Sequence, residues 1–240
     1  MGALRAVGTA FVTGLLDLLS APQCAACDHD LNDRSVFCRT CADSVVRAEP
    51  PYWPMAPAAV LGQAPSPIGV LSFGHYGGAI ADALQRFKYD DRPDLARPLG
   101  ALLCRTVREL RPGSRGAAAA AGCDLVLPVP LHPRRLAERG YNQASLLAGQ
   151  VQRELGGRLA TAGLRRVKDT PPQAKLDRVA RAQNVATAFQ VVAPERLRDR
   201  RVMLVDDVAT TGATLLACAG ALRRAGVAAV DALVVAVAEG

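Results

Sequence analysis

Two stretches of this sequence bring together residue types that could do chemistry. The first is Val202-Met-Leu-Val-Asp206-Asp207-Val208-Ala209-Thr210-Thr211-Gly212-Ala213-Thr214. Its apolar opening predicts a short buried strand, Arg201 to Val205, that stops at two carboxylates. A loop of small and hydroxyl residues follows, then a helix from Thr214 to about Ala225. Such a turn aims backbone N–H groups and a helix dipole at one spot, which suits an anion. Thr210, Thr211 and Thr214 add hydroxyl donors, and Gly212 permits close backbone approach. Residues 208–214 are therefore expected to cradle a phosphate. Carboxylates beside a phosphate repel it unless they serve its hydroxyls or a divalent ion. A ribose bearing a 5′-phosphate meets that requirement, with Mg²⁺ offsetting the remaining charge. The plainer alternative is that Asp206 and Asp207 only cap the next helix. Neither a G-x-x-x-x-G-K-[ST] loop nor a G-x-G-x-x-G fingerprint is present.

The second stretch is Cys24-Ala-Ala-Cys27, ten residues, then Cys38-Arg-Thr-Cys41. Each C-x-x-C can form a tight knuckle, and two knuckles complete a tetrahedral four-sulfur shell. That shell suits structural zinc and leaves no open position for a substrate. The segment has few apolar residues, so the roughly 10–16 kcal/mol of metal binding would supply its stability. Two disulfides, four unrelated thiols or an iron–sulfur cluster are the other readings. Cys104, Cys123 and Cys218 sit among apolar residues and read as core packing.

These groups need elements to hold them. Half of the 240 residues are hydrophobic and only 4% are aromatic, which supports a real core and argues against a base-stacking surface. The net charge of +7 favours anionic partners without distinguishing nucleic acid from a phosphorylated metabolite. No apolar run is long enough for a membrane span. An odd cysteine total without a convincing export signal points to the reducing cytoplasm. Leu15, Leu18 and Leu19 share one face of an expected N-terminal amphipathic helix, which reads better than a secretion signal because Asp17 interrupts the apolar stretch. Six prolines between residues 50 and 67 mark a semi-rigid linker. The expected division is residues 1–48 as helix and zinc ribbon, 49–67 as linker, and 68–240 as the main domain. Within it, strands at 69–75, 124–129 and 229–236 alternate with helices over Ile80–Phe87 and after Asn142, which predicts a parallel sheet covered on both faces. Residues 111–122, with five consecutive alanines, are expected to be a loop.

The stretch Val202–Thr214 resembles the 5-phosphoribosyl 1-pyrophosphate (PRPP) motif of type I phosphoribosyltransferases. Further markers narrow the resemblance to the ComF/GntX family, competence-associated relatives with an N-terminal zinc ribbon. They are Phe87-Lys88-Tyr89, Pro128-Val-Pro-Leu131, Arg139-Gly-Tyr-Asn-Gln143, and Thr170-x-x-Gln173 leading to Arg181-x-x-Asn184 and Ala188-Phe189. The resemblance covers about residues 15 to 237 apart from the alanine-rich insert. It implies an α/β fold: a type I phosphoribosyltransferase-like twisted parallel sheet with helices on both faces, a flexible hood, and a four-cysteine zinc ribbon in front.

By that resemblance the loop after the 124–129 strand holds pyrophosphate, with Arg134, Arg135 and Arg139 as donors; a basic helix start is the bland reading. Lys88 reaches the same anion or merely snorkels at a helix end. Gln173, Arg181 and Asn184 are the marked residues of a basic segment, 165–181, that closes as the hood or forms a solvated face. Asp206 and Asp207 take the catalytic role. The expected ligands are PRPP or a ribose-5-phosphate nucleotide, with Mg²⁺ accompanying PRPP. Three activities follow from the resemblance: ribose-5-phosphate transfer, non-catalytic PRPP or nucleotide sensing, and handling of single-stranded DNA, alone or with a competence protein. No local pattern identifies an acceptor base.

Overall fold

The computed structural model describes residues 22–49, 51–55, 67–169 and 187–238. The expected N-terminal helix, most of the proline-rich stretch, and Gln173, Arg181 and Asn184 lie outside these residues. Six strands form one sheet: β1 (Tyr52–Met55), β2 (Ile68–His75), β3 (Leu125–Pro128), β4 (Arg158–Leu159), β7 (Arg201–Ala209) and β8 (Ala229–Val237). Their order is β1-β2-β8-β7-β3-β4. All neighbours run parallel except β1, which is antiparallel to β2. Val, Leu and Ala fill both faces of β8, as a strand covered on both sides requires. A separate antiparallel pair, β5 (Leu164–Arg166) with β6 (Phe189–Val191), flanks residues 170–186.

One face of the sheet is covered by α2 (Gly78–Tyr89), α3 (Ala96–Arg108) and α6 (Gln143–Leu155), whose Leu84, Phe87, Leu99, Leu103, Leu147 and Val151 join one apolar cluster. The other face is covered by α7 (Ala213–Arg224) through Leu215, Cys218 and Leu222. Helices α3 and α6 approach closely at Gly100, where a Cβ would sit 2.4 Å from Gln150 Cβ. The short helices are α1 (Arg39–Ala42), α4 (Arg115–Ala121) and α5 (Pro133–Arg139).

Three sequence expectations are corrected. The strand expected to end at Val205 continues through both acids to Ala209, because β8 offers Val234, Ala236 and Val237 as ladder partners. The alanine run is not a loop but α4: alanine has the highest helix propensity, and Ser114 caps the helix by accepting from Ala117 N at 3.1 Å. Within the proline-rich stretch, Tyr52–Met55 pairs with β2. Pro54 is tolerated there because β1 is an edge strand.

The four-cysteine segment shares its core with the sheet: Cys24, Ala25, Leu31 and Phe37 belong to the same cluster as Phe87 and Leu84. Arg86 of α2 pairs with Asp28 and donates to Ala25 O at 3.1 Å. Arg92 reaches the other oxygen of Asp28 at 2.8 Å. Among the described residues no helix is long and apolar enough to cross a membrane.

Candidate functional site

Strands β3 and β7 are neighbours, yet the long helices that follow them leave to opposite faces, α6 to one and α7 to the other. That reversal opens a crevice beyond the carboxyl ends of the two strands, the usual ligand position in an open α/β sheet. The end of β3 leads through residues 129–132 to Arg134 and Arg135. The end of β7 carries Asp206 and Asp207 and then Thr210-Thr211-Gly212.

The two acids are adjacent but have separate surroundings. Asp207 is 5% exposed and its Oδ2 lies 2.7 Å from Lys88 Nζ at the end of α2. Asp206 accepts from Asp207 N at 2.9 Å. Burial, and then the charge of Asp207, push Asp206 up to about 8; the Asp207 amide and Lys88 oppose the rise. In its protonated form such an acid can donate a hydrogen bond, and a cation delivered beside it would ionise it.

The turn after the acids is built for a short anion. Gly212 has φ +71°, a left-handed conformation that glycine adopts without steric cost. It is also the N-cap of α7 and, as glycine, offers no side-chain cap; Thr211 Oγ1 accepts a long hydrogen bond from Ala213 N at 3.5 Å. By contrast α4, α5 and α6 are capped by Ser114, His132 and Asn142. Apart from the Ala213 amide, the first-turn amides of α7 have no side-chain cap among the described residues, and with the nearby hydroxyls of Thr210 and Thr214 this helix start suits an anion. Val208 and Ala209, expected in the loop, lie instead in the β7–β8 ladder, which narrows the loop to residues 210–212.

The expected pyrophosphate donors separate by environment. Arg134 is largely exposed and bonded to Glu138 at 3.0 Å, with Asp169 at 3.5 Å. Arg139 turns to Gln143 Oε1 at 2.8 Å, its guanidinium carbon 5.3 Å from the centre of the Tyr89 ring. Half-buried Arg135 lies within electrostatic reach of Arg166, a residue sequence reasoning placed only in the basic run. Burial lowers Arg166 from its usual value, against the opposing pull of Cys218, Asp169 and Asp206. Arg166 is thus within electrostatic reach of Asp206 at the acid end of β7.

Within the Arg139–Gln143 marker, sequence reasoning gave a role only to Arg139 and left Tyr141, Asn142 and Gln143 without one. Tyr141 Oη donates to Phe87 O at 2.6 Å, and Gln143 Nε2 donates to the same carbonyl at 3.1 Å. Asn142 Nδ2 donates to Val129 O at 3.0 Å, tying α6 to the end of β3. The marker is a knot that fixes the end of α2, and hence Lys88, against the crevice.

The four expected metal ligands converge as well. Their sulfurs all lie within 4.8 Å of one another, close enough to hold one metal ion such as zinc. Cys27 and Cys38 Sγ are 3.8 Å apart, far from a disulfide bond length and near the sulfur–sulfur edge of a tetrahedron with Zn–S of about 2.3 Å. Burial raises Cys24, but the amides of Cys38, Ala26 and Cys27 offset it and bring the thiol down to about 7. Cys41 is pushed strongly up by burial and by its three sulfur neighbours, the mutual repulsion that a dication relieves.

Residues 142–239 match the phosphoribosyl transferase domain family. Competence protein F from Haemophilus influenzae is 34% identical over 209 residues, 87% of this chain and 81% of that protein. The DNA utilization protein YhgH of Escherichia coli K12 is 30% identical over 162 residues, 68% of this chain and 69% of that one. A solved glutamine PRPP amidotransferase from B. subtilis aligns with a TM-score of 0.42 and 18% identity, over 62% of this chain and 30% of that one.

Proposed function

The chain belongs to the competence protein F (ComF) family, and on that premise we propose that it binds PRPP and transfers its ribose-5-phosphate group to a nitrogen nucleophile. The observation that carries this reading is the acid pair near the end of β7, followed within five residues by left-handed Gly212 and the start of α7. The 5′-phosphate occupies the amides and hydroxyls of residues 210–214, and Asp206 and Asp207 take the ribose hydroxyls. Mg²⁺, bound with PRPP, would neutralise the pyrophosphate. In the transfer the C1–O bond to pyrophosphate breaks and its electron pair leaves with the pyrophosphate. The nitrogen lone pair forms the new C1–N bond, and the nitrogen proton passes to solvent. Lys88, Arg135 and Arg166 stabilise the departing charge, and holding the ribose at both ends supplies orientation. Gln173, Arg181 and Asn184 would close over the ligand. Cys24, Cys27, Cys38 and Cys41 hold structural zinc, and seven cysteines without a disulfide suit a cytoplasmic protein.

Thermal melting with PRPP and Mg²⁺ tests the pocket. A ligand at 100 times its Kd stabilises by about 2.7 kcal/mol, a shift on the order of 5–10 °C at this size. The shift should vanish in the double Asp206→Asn, Asp207→Asn variant. No shift in the wild type at millimolar PRPP, or an equal shift in the variant, removes the reading. Released pyrophosphate with a panel of bases separates transfer from non-catalytic sensing.

A second reading, handling of single-stranded DNA, is favoured by the names of the relatives and by the net charge of +7. Arg165, Arg166 and Lys168 on and beside β5 would meet phosphates. Binding should then weaken steeply with salt, and each lost contact should lower the log–log slope by about one. Equal affinity for any polyanion would set this reading aside.

A further inference from the structure

Away from the crevice, residues 34–37 of the cysteine segment and Ala101, Leu102 and Arg105 of α3 line a common groove of about 470 Å³. Ligand sites commonly measure roughly 300–1,000 Å³. Val36, Val45 and Leu102 give the groove an apolar lining, Arg34, Arg47 and Arg105 give it three guanidiniums, and no acid lines it. Glu109, beside it, accepts from Arg47 Nη2 and Arg105 Nε, each at 2.6 Å. One carboxylate against three guanidiniums leaves positive charge in excess. Arg34 is exposed and has no ion-pair or hydrogen-bond partner among the described residues. Arg47 Nη1 is buried without a hydrogen bond, a cost that further negative charge nearby would offset. The rim is open: Ala101 and Arg105 are exposed, and Val46, between two lining residues, is 61% exposed. An open groove that is both apolar and cationic suits a chain segment better than an enclosed metabolite. Its two aromatic rings do not suit a nucleobase. Phe37 and Phe73 are 8% and 3% exposed, and the Arg47 guanidinium carbon already lies 4.0 Å from the centre of the Phe73 ring.

We propose that this groove docks an acidic segment of a partner protein, in which one or two apolar side chains enter against Val36, Val45 and Leu102 while flanking carboxylates meet Arg34 and Arg105. A guanidinium matches a carboxylate through two parallel hydrogen bonds. The site therefore selects carboxylates with apolar neighbours rather than negative charge alone. A partner seated there grips the cysteine segment and α3 at once, and it leaves the crevice of Asp206 and Asp207 untouched.

Panning a random-peptide phage library on the full chain, then titrating the enriched peptides by fluorescence anisotropy, tests it. Enriched sequences should carry aspartate or glutamate on either side of a large apolar residue. Arg34→Gln and Arg105→Gln should each weaken their binding about twofold to fivefold, and the double variant about tenfold, with the far-ultraviolet circular dichroism unchanged. A library that enriches nothing, enriched peptides without acids, or acidic peptides that bind the double variant as tightly as the wild type would overturn the proposal. Decathymidylate supplies a further arm: if it displaces the peptides and itself loses affinity in the double variant, the groove serves nucleic acid and the proposal is wrong. Sedimentation supplies the last: a wild type that pairs and a double variant that stays monomeric would give the groove to a second copy of this chain.

Discussion

Asp206 and Asp207 look equivalent in the sequence, and the structure divides them. Asp207 is buried against the Lys88 ammonium, while burial and its neighbour's charge raise Asp206 above the ordinary carboxylate range. The place of the acid pair, between a buried strand and a helix start, was legible because an apolar run meeting two acids and a hydroxyl-rich turn is a local pattern. The partner of Lys88 was not, since the two residues are far apart in sequence and only packing of α2 brings them together. The upward shift of Asp206 gives a signed prediction. Its folded-state value, about 8, lies above the ordinary carboxylate value of 3.8. The folded state therefore binds more protons between those values, and stability at this site falls as pH rises from about 4 to about 8. Melting temperatures of the wild type should drop across that window, and Asp206→Asn should flatten the decline while raising stability at pH 8. A wild-type curve that rises over the window, or an Asn variant with an unchanged slope, would show that Asp206 is ionised in the fold.

The elements around the acids were partly readable. Alternating apolar runs and helical faces announced the parallel sheet, and Asn142 announced the start of α6, where it accepts from Ala144 N at 3.1 Å. Two boundaries were misread for one reason: local propensity was given more weight than the neighbouring strand or cap. Aspartates disfavour strands, yet β8 supplies a ladder for Asp206. Glycine and proline around the alanines suggest a loop, yet Ser114 starts a helix there. The knot on the Phe87 carbonyl could not be read at all, because a tyrosine and a glutamine show no partner until α2 and α6 are placed. It too makes a prediction. Tyr141→Phe alone leaves Gln143 on the carbonyl and should cost about 0.5–1.5 kcal/mol. Adding Gln143→Leu strands that carbonyl and should raise the total loss by a further 1–3 kcal/mol or so. Because Lys88 directly follows Phe87, PRPP affinity should fall in the double variant even at temperatures where it is fully folded. Urea unfolding and PRPP titration measure the two effects. A double variant with additive, small losses and unchanged PRPP affinity would reduce the knot to ordinary packing.

At the scale of the whole molecule, the cysteine segment is not an appendage on a linker. Leu31 and Phe37 are buried in the cluster that contains Phe87, and Asp28 bridges Arg86 and Arg92. The paired C-x-x-C spacing made the sulfur shell legible, but nothing in the sequence told that its loops pack on α2. Metal retention should therefore be felt at the crevice. Metal analysis should find one zinc per chain, and Cys38→Ser should lose it, since three thiols and a hydroxyl make a poor tetrahedral shell. The cluster behind α7, built from Leu204, Leu215, Cys218 and Val234, shares no residue with the cysteine segment, so the sheet should survive. What should change is α2: with Phe37 and Leu31 released, its last turn loses cover, amide exchange there should quicken, and Lys88 should be held less firmly on Asp207. PRPP binding in the Cys38→Ser protein should weaken severalfold while the far-ultraviolet circular dichroism stays near that of the wild type. A zinc-free variant with unaltered exchange in Gly78–Tyr89 and unaltered PRPP affinity would mean that the metal stabilises its own segment and nothing beyond it.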